Sequence, residues 1–273
     1  MMINNKLNKF SFGIGDRFAH QAKAQLAAIQ KAEEQGVDIT PVWNKSFREH
    51  TIIKSKPIQT RAAADKAVKE LNWQNSYFLD ADHINLNTVD HFIDCCDFFT
   101  LDVADYIGKS APENEIEDFV SKQTKYIGKL TPKGTSKTFE ITRVLLHHIA
   151  KDYLFAVKEA GKIYRHIFQK KQNPNIMIEV SMDETDAPQT PIELLFILAA
   201  LANEQIPLQT IAPKFTGSFL KGSDYVGDLD RFTREFRDDL AVIAFAVHHF
   251  KLPRNVKLSI HTGSDKFSIY PIM

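Results

Sequence analysis

The feature that most constrains this chain is its alternation of short strand-like runs with longer helix-like runs. Residues 10–14, 39–43, 76–79 and 98–103 are rich in apolar, β-branched and aromatic side chains and read as strands. Residues 18–34, 60–71 and 87–95 lie between them and read as helices. Asn87 or Thr88 is the expected cap of the third. The rhythm returns further on, with strands expected at 176–180, 208–212 and 256–260 and helices at 191–203 and 228–250. Strand–helix alternation with short connections predicts a parallel sheet, because each crossover needs a helix to return the chain to the same end.

Between the two stretches the rhythm breaks. Residues 104–137 are charged and polar with short helical patches, and 138–169 read as one long amphipathic helix with a kink expected near Gly161. Residues 104–170 are therefore read as a helical insertion within a single (β/α)-barrel domain spanning 1–273. Two closures compete, an open doubly wound sheet and a TIM-type barrel. Polar residues after most of the seven expected strands favour the α/β class of TIM-type (β/α) barrel. Only three residues follow Tyr270, so an eighth strand has no sequence to come from. The barrel is expected to be incomplete at the C-terminus.

Composition narrows the function classes. Lys plus Arg and Asp plus Glu each total 34, so the formal net charge is zero. That argues against a general nucleic-acid binder, which needs a basic excess. The two cysteines, Cys95 and Cys96, are adjacent, with no third to pair with, as expected of a reduced intracellular chain. The start, 1–8, is polar and lacks an apolar signal core, and the apolar stretch 194–201 is too short to span a bilayer. A cytoplasmic protein with no membrane partner is expected.

In parallel α/β folds, reactive groups sit just beyond the C-terminal ends of strands. Gly13-Ile14-Gly15-Asp16-Arg17 follows the first strand, and Trp43-Asn44-Lys45-Ser46-Phe47-Arg48-Glu49-His50 the second. Asp80-Ala81-Asp82-His83 ends the third. The fifth carries Glu179, with Asp183 and Glu184 following. Lys214 and Lys221-Gly222-Ser223-Asp224 follow the sixth, and His261-Thr262-Gly263-Ser264-Asp265-Lys266 the seventh. Polar residues thus converge on one rim at six positions, as in an enzyme.

Each has a simpler reading beside the functional one. Gly13-x-Gly15 lacks the third glycine of a dinucleotide fingerprint and fits a tight turn better. Asp82-His83 is either a cap beside a surface histidine or a carboxylate and an imidazole suited to a divalent cation. Glu179 lies in an apolar strand, where a carboxylate is costly unless paired or metal-bound. His261 reads equally as structural or functional. The pairs His147-His148 and His248-His249 lie on helices, where adjacent residues point about 100° apart, so neither pair shares a face. Cys95-Cys96, expected on a helix, makes a zinc cluster improbable.

Six motifs together resemble the tagaturonate epimerase family. They are Gly13-Ile14-Gly15-Asp16-Arg17-Phe18, Pro41-Val42-Trp43-Asn44-Lys45-Ser46, Asp80-Ala81-Asp82-His83, Pro213-Lys214-Phe215-Thr216-Gly217, Asp224-Tyr225-Val226-Gly227-Asp228 and His261-Thr262-Gly263-Ser264-Asp265-Lys266-Phe267-Ser268. They run in order over essentially the whole chain. The resemblance implies a TIM-barrel enzyme of hexuronate breakdown that interconverts D-tagaturonate and D-fructuronate with a divalent metal cation, one of Mn, Co, Ni, Zn or Fe. It implies Asp82 as proton acceptor, Glu179 as proton donor, and His83 and His261 as metal ligands. Family members continue past the last residue here, with a further histidine expected there.

The two sugar acids differ at carbon 3, which is β to the ketone, so simple enolisation inverts the wrong centre. Retro-aldol cleavage between carbons 3 and 4 is the preferred route, and stepwise carbonyl migration is its rival. Lys45, Arg48, Lys214 and Lys221 are candidates to bind the substrate carboxylate. A metal-dependent aldolase acting on sugar acids and a non-catalytic sugar-acid-binding protein remain as alternatives.

Overall fold

The computed structural model describes residues 7–171 and 175–273; residues 1–6 of the polar start lie outside them. The described residues fall into two compact units. The first comprises those within Met1–Leu101 and Ile163–Ile178, the second those within Asp102–Lys162 and Glu179–Met273.

The first unit is a run of parallel strands with helical crossovers. It holds β1 (Phe10–Gly15), α1 (Ala22–Glu34), β2 (Ile39–Ser46), α2 (Phe47–Ile52), α3 (Pro57–Glu70) and β3 (Phe78–Ile84). β4 (Phe98–Asp102) is the strand through which the chain passes into the second unit. The pairing is β1–β2–β3–β4, with Phe10 opposite Ile39, Trp43 opposite Leu79 and Asp80 opposite Phe98. Leu7, Val42, Phe78, Phe98 and Met177 close one end of its core. Met177 opens β7 (Met177–Ser181), and its N–H donates to the Asp97 carbonyl at 2.9 Å.

The second unit holds α4 (Glu113–Gln123), the antiparallel pair β5 (Gly128–Leu130) and β6 (Phe139–Ile141), and most of α5 (Arg143–Lys171). It continues with α6 (Pro191–Asn203), β8 (Thr210–Ala212), α7 (Leu229–His249) and β9 (Lys257–Leu258). β7, β8 and β9 are parallel, with Glu179 opposite Thr210 and Ile211 opposite Leu258. α6 is apolar around most of its circumference, because all but a few of its residues are buried. Thr190 and Glu193 close a capping box at its start, and Pro191 occupies the first turn, where its missing N–H costs nothing.

The fold class is α/β, a parallel sheet of the incomplete TIM-type barrel kind, as the alternation predicts. Three local expectations are corrected, and one element is added. The helix expected at 87–95 is a single turn, Val89–His91, so the two cysteines lie in the turn before β4 and not on a helix. Asp80–His83 do not follow the third strand but lie within β3, which runs on to Ile84. The register shifts between Ala81 and Ile84, and this irregularity lets the strand continue past its polar residues. The long helix begins at Arg143, because 139–141 pair as β6, and it continues unbroken through Gly161. The segment after β2 forms a further helix, α2, whose Ser46 and Glu49 cap it reciprocally.

Candidate active site

In the first unit the strand-end motifs have distinct duties. Asp16 is buried, its two carboxylate oxygens accepting the N–H groups of His20 (3.1 Å) and Gln21 (2.8 Å) in the turn that leads into α1. Lys45 is also buried, only 2% exposed. Its Nζ donates to the Arg17 carbonyl at 2.5 Å and to Ser55 Oγ at 2.8 Å. Ser55 Oγ also lies 2.8 Å from His50 Nδ1. These bonds tie the loops after β1 and β2 together at the rim. Burial, and then the charge of Lys45, hold the His50 imidazole down at about 4. Arg48 is exposed on α2.

Asp80 is buried in β3 and accepts a hydrogen bond from Thr100 Oγ1 at 2.9 Å. Asp82 and His83 follow at the irregular end of the strand, both partly exposed, with a carboxylate oxygen and the imidazole Nε2 3.8 Å apart. His83 has φ +49°, left-handed backbone in a residue other than glycine. Such strain persists only where surrounding structure imposes it, and it clusters at working sites.

In the second unit Glu179 lies mid-strand in β7 and is 3% exposed. Its Oε1 is 2.6 Å from His261 Nε2, just beyond β9. The other imidazole nitrogen, Nδ1, is 3.3 Å from Asp183 Oδ1. One imidazole is thus flanked by two carboxylates. Burial pushes the Glu179 carboxyl up, but the charge and hydrogen bond of His261 outweigh it and leave the group below its ordinary value. Burial likewise pulls His261 down, and Glu179 and Asp183 overcome it, holding the imidazole well above its ordinary value.

Sequence reasoning had Glu179 and His261 as separate candidates; the fold makes them partners. It placed Asp183 after the strand without giving it a role. The available signal was its position two residues beyond β7.

The remaining candidates are less central. Lys214 Nζ donates to the Thr185 carbonyl, and its own N–H to Gln189 Oε1 at 2.8 Å. Lys221 is exposed. Gly217 takes φ +94°, and a Cβ there would collide with the ring of Tyr225, whose hydroxyl donates to the Thr216 carbonyl at 3.0 Å. The Thr216-Gly217 motif therefore seats Tyr225. A group that could hold a metal ion, Glu113, Glu117 and His147, lies on the surface of this unit within a set of ion pairs that includes Arg143–Glu117. No described helix is long and apolar enough to cross a membrane.

A family model described as tagaturonate epimerase matches residues 2–273. The tagaturonate/fructuronate epimerase of Thermotoga maritima is 26% identical over 96% of this chain and 54% of its own length. A glycerol-bound crystal structure of the fructuronate-tagaturonate epimerase UxaE from Cohnella laeviribosi superposes with a TM-score of 0.78 at 25% identity, over 97% of this chain and 54% of that one. A "probable tagatose 6 phosphate kinase" from Sinorhizobium meliloti shares only the fold, with a TM-score of 0.53 at 7% identity, over 96% of this chain and 62% of that one. The chain spans about half the length of the epimerases it matches.

Proposed function

The chain belongs to the tagaturonate epimerase family, and on that premise we propose that it interconverts D-tagaturonate and D-fructuronate. The observation that carries this reading is the buried Glu179–His261 pair, extended by Asp183 at the rim where parallel α/β folds do chemistry.

Asp82 is the proposed proton acceptor and Glu179 the proposed donor. In a retro-aldol route, Asp82 takes the proton of the carbon-3 hydroxyl. The bond between carbons 3 and 4 breaks, and its electron pair moves toward the ketone. The aldehyde fragment turns over and the bond reforms on its other face. The carbon-3 alkoxide then receives its proton from Glu179. A proton held between Glu179 and His261 is well placed for that return, and the partial exposure of Asp82 suits a base that meets substrate.

A divalent cation would be held by His83 and His261. The donor chemistry fits: an imidazole nitrogen and a carboxylate oxygen 3.3 Å apart at His261 and Asp183 suit a borderline ion. Such an ion supplies Lewis-acid stabilisation of the oxyanions that develop on the substrate. Arg48 and Lys221, both exposed, are proposed to take the substrate carboxylate, and Lys45 and Lys214, whose ammonium groups donate to backbone carbonyls, are the further candidates for that role.

The test supplies D-tagaturonate to the protein with each candidate metal in turn and follows products by NMR. Appearance of D-fructuronate is expected. Accumulation of three-carbon fragments would replace the epimerase with an aldolase. Ligand-induced thermal stabilisation without turnover would leave a binding protein.

A further inference from the structure

The turn before β4 holds two thiols that the proposed epimerisation does not use. Cys95 and Cys96 are both free and both buried. They line a pocket of about 220 Å³ together with Arg61, Lys171, Asp94 and Asp97. All of these belong to the first unit.

The pocket is built, not incidental. The N–H groups of Cys95 and Cys96 both donate to the Phe92 carbonyl, at 3.1 and 2.9 Å, which presents the adjacent side chains from one tight turn. Two cations are fixed beside them. Lys171 Nζ donates to the Ile93 carbonyl at 2.7 Å. Arg61 bonds Asp97 Oδ2 at 2.9 Å and reaches the Cys95 carbonyl at 3.5 Å. The thiols are differentiated. A hydrogen bond from Cys96 lowers the Cys95 thiol, burial opposes it, and the charges of Lys171 and Arg61 lower it further. Burial and the same contact push Cys96 up. The two thiols thus differ in surroundings: Cys95 Sγ lies 3.6 Å from the Phe92 carbonyl at the edge of the pocket, whereas Cys96 is fully buried behind it.

We propose that Cys95 and Cys96 form a reactive dithiol site for a small hydroperoxide, with Cys95 attacking and Cys96 resolving. In the first step the Cys95 thiolate attacks one peroxide oxygen. The S–O bond forms as the O–O bond breaks, sulfur is oxidised to sulfenic acid, and the peroxide is reduced to water or an alcohol after taking a proton. In the second step Cys96 sulfur attacks Cys95 sulfur. The S–S bond forms, hydroxide leaves, and the Cys96 proton completes a second water. The product is a disulfide between adjacent residues. The turn feeds into β3, because Asp97 Oδ1 accepts the Leu79 N–H at 2.7 Å and the Asp97 N–H returns to the Leu79 carbonyl at 3.1 Å. Oxidation therefore loads the strand that carries Asp82 and His83.

The test exposes the whole folded protein to hydrogen peroxide with dimedone present or absent, followed by intact mass and peptide mapping. The parent protein should lose two hydrogens and both titratable thiols, at least roughly 10-fold faster than free cysteine at the same pH. Cys96→Ser should stop at a dimedone-trappable sulfenic acid on Cys95. Cys95→Ser should react no faster than free cysteine. Oxidation seen only after denaturant is added, or a Cys95→Ser variant as reactive as the parent, would overturn the proposal and leave a buried structural pair. No arm uses epimerase activity, so the result stands apart from the proposed function.

Discussion

The two units reach a similar end by different means. In the first, β/α units with helical crossovers carry the candidate residues, and Asp82 and His83 lie at an irregularity in β3. In the second, the strands are only two to five residues long, and Glu179, Asp183 and His261 are held by one another. The difference teaches where each site is vulnerable. The first depends on backbone geometry, the second on charge balance inside a buried cluster.

The largest expected effect comes from removing the two titrating groups. Asp82→Asn and Glu179→Gln should each lower kcat by roughly 100-fold or more. They should differ in metal content measured on the purified protein. Asp82→Asn should leave it unchanged, whereas Glu179→Gln should disturb it by releasing His261 from its partner. Identical metal loss in both would erase the distinction between the sites.

Next comes a pair of glycines, one per unit, measured by urea unfolding. Gly36 takes φ +85° with open space around a built Cβ, so Gly36→Ala should cost about 1 kcal/mol from backbone alone. Gly217→Ala adds a collision with Tyr225 to a similar backbone strain and should cost roughly 2–4 kcal/mol. Equal costs would mean that Tyr225 swings away freely.

A smaller effect is the response of the first unit to acid. The His50 imidazole ordinarily titrates near 6.5 but in the fold only at about 4. The unfolded chain therefore binds the proton first. The contribution is fully present above 6.5 and is lost as pH falls toward 4. Stability measured across that window should decline in the parent and decline less in His50→Gln.

The smallest effect has the opposite sign and belongs to the second unit. Asp239 on α7 is buried, and among the described residues its Oδ1 has no hydrogen-bond partner. Burial, reinforced by the charges of Glu235 and Asp238, pushes its carboxyl well above the ordinary value. The fold then binds more protons than the unfolded chain, so stability falls as pH rises through the raised value. Asp239→Asn should be more stable than the parent at neutral pH, by thermal melting, and indistinguishable from it in acid. A variant less stable than the parent at neutral pH would show that the carboxylate is ionised and satisfied.

Much of this was legible in the chain itself. The alternation from 10 to 103 and from 176 to 260 determined the parallel α/β class, because apolar periodicity reports directly on which face is buried. The start of α6 at Pro191 was readable from Thr190, Pro191 and Glu193. The six rim motifs determined the family. What the sequence could not determine was anything carried by contacts distant along the chain. The β3 irregularity is a property of pairing with β4, so no local pattern announces that the strand runs through Asp82 and His83. Lys45 looked like a free rim cation, and only the return of the loops at Arg17 and Ser55 buries it. Glu179 and His261 are 82 residues apart, and their contact exists only because β7, β8 and β9 lie side by side. Local propensity acts through neighbours in sequence, whereas the charge states of these groups are set by neighbours in space.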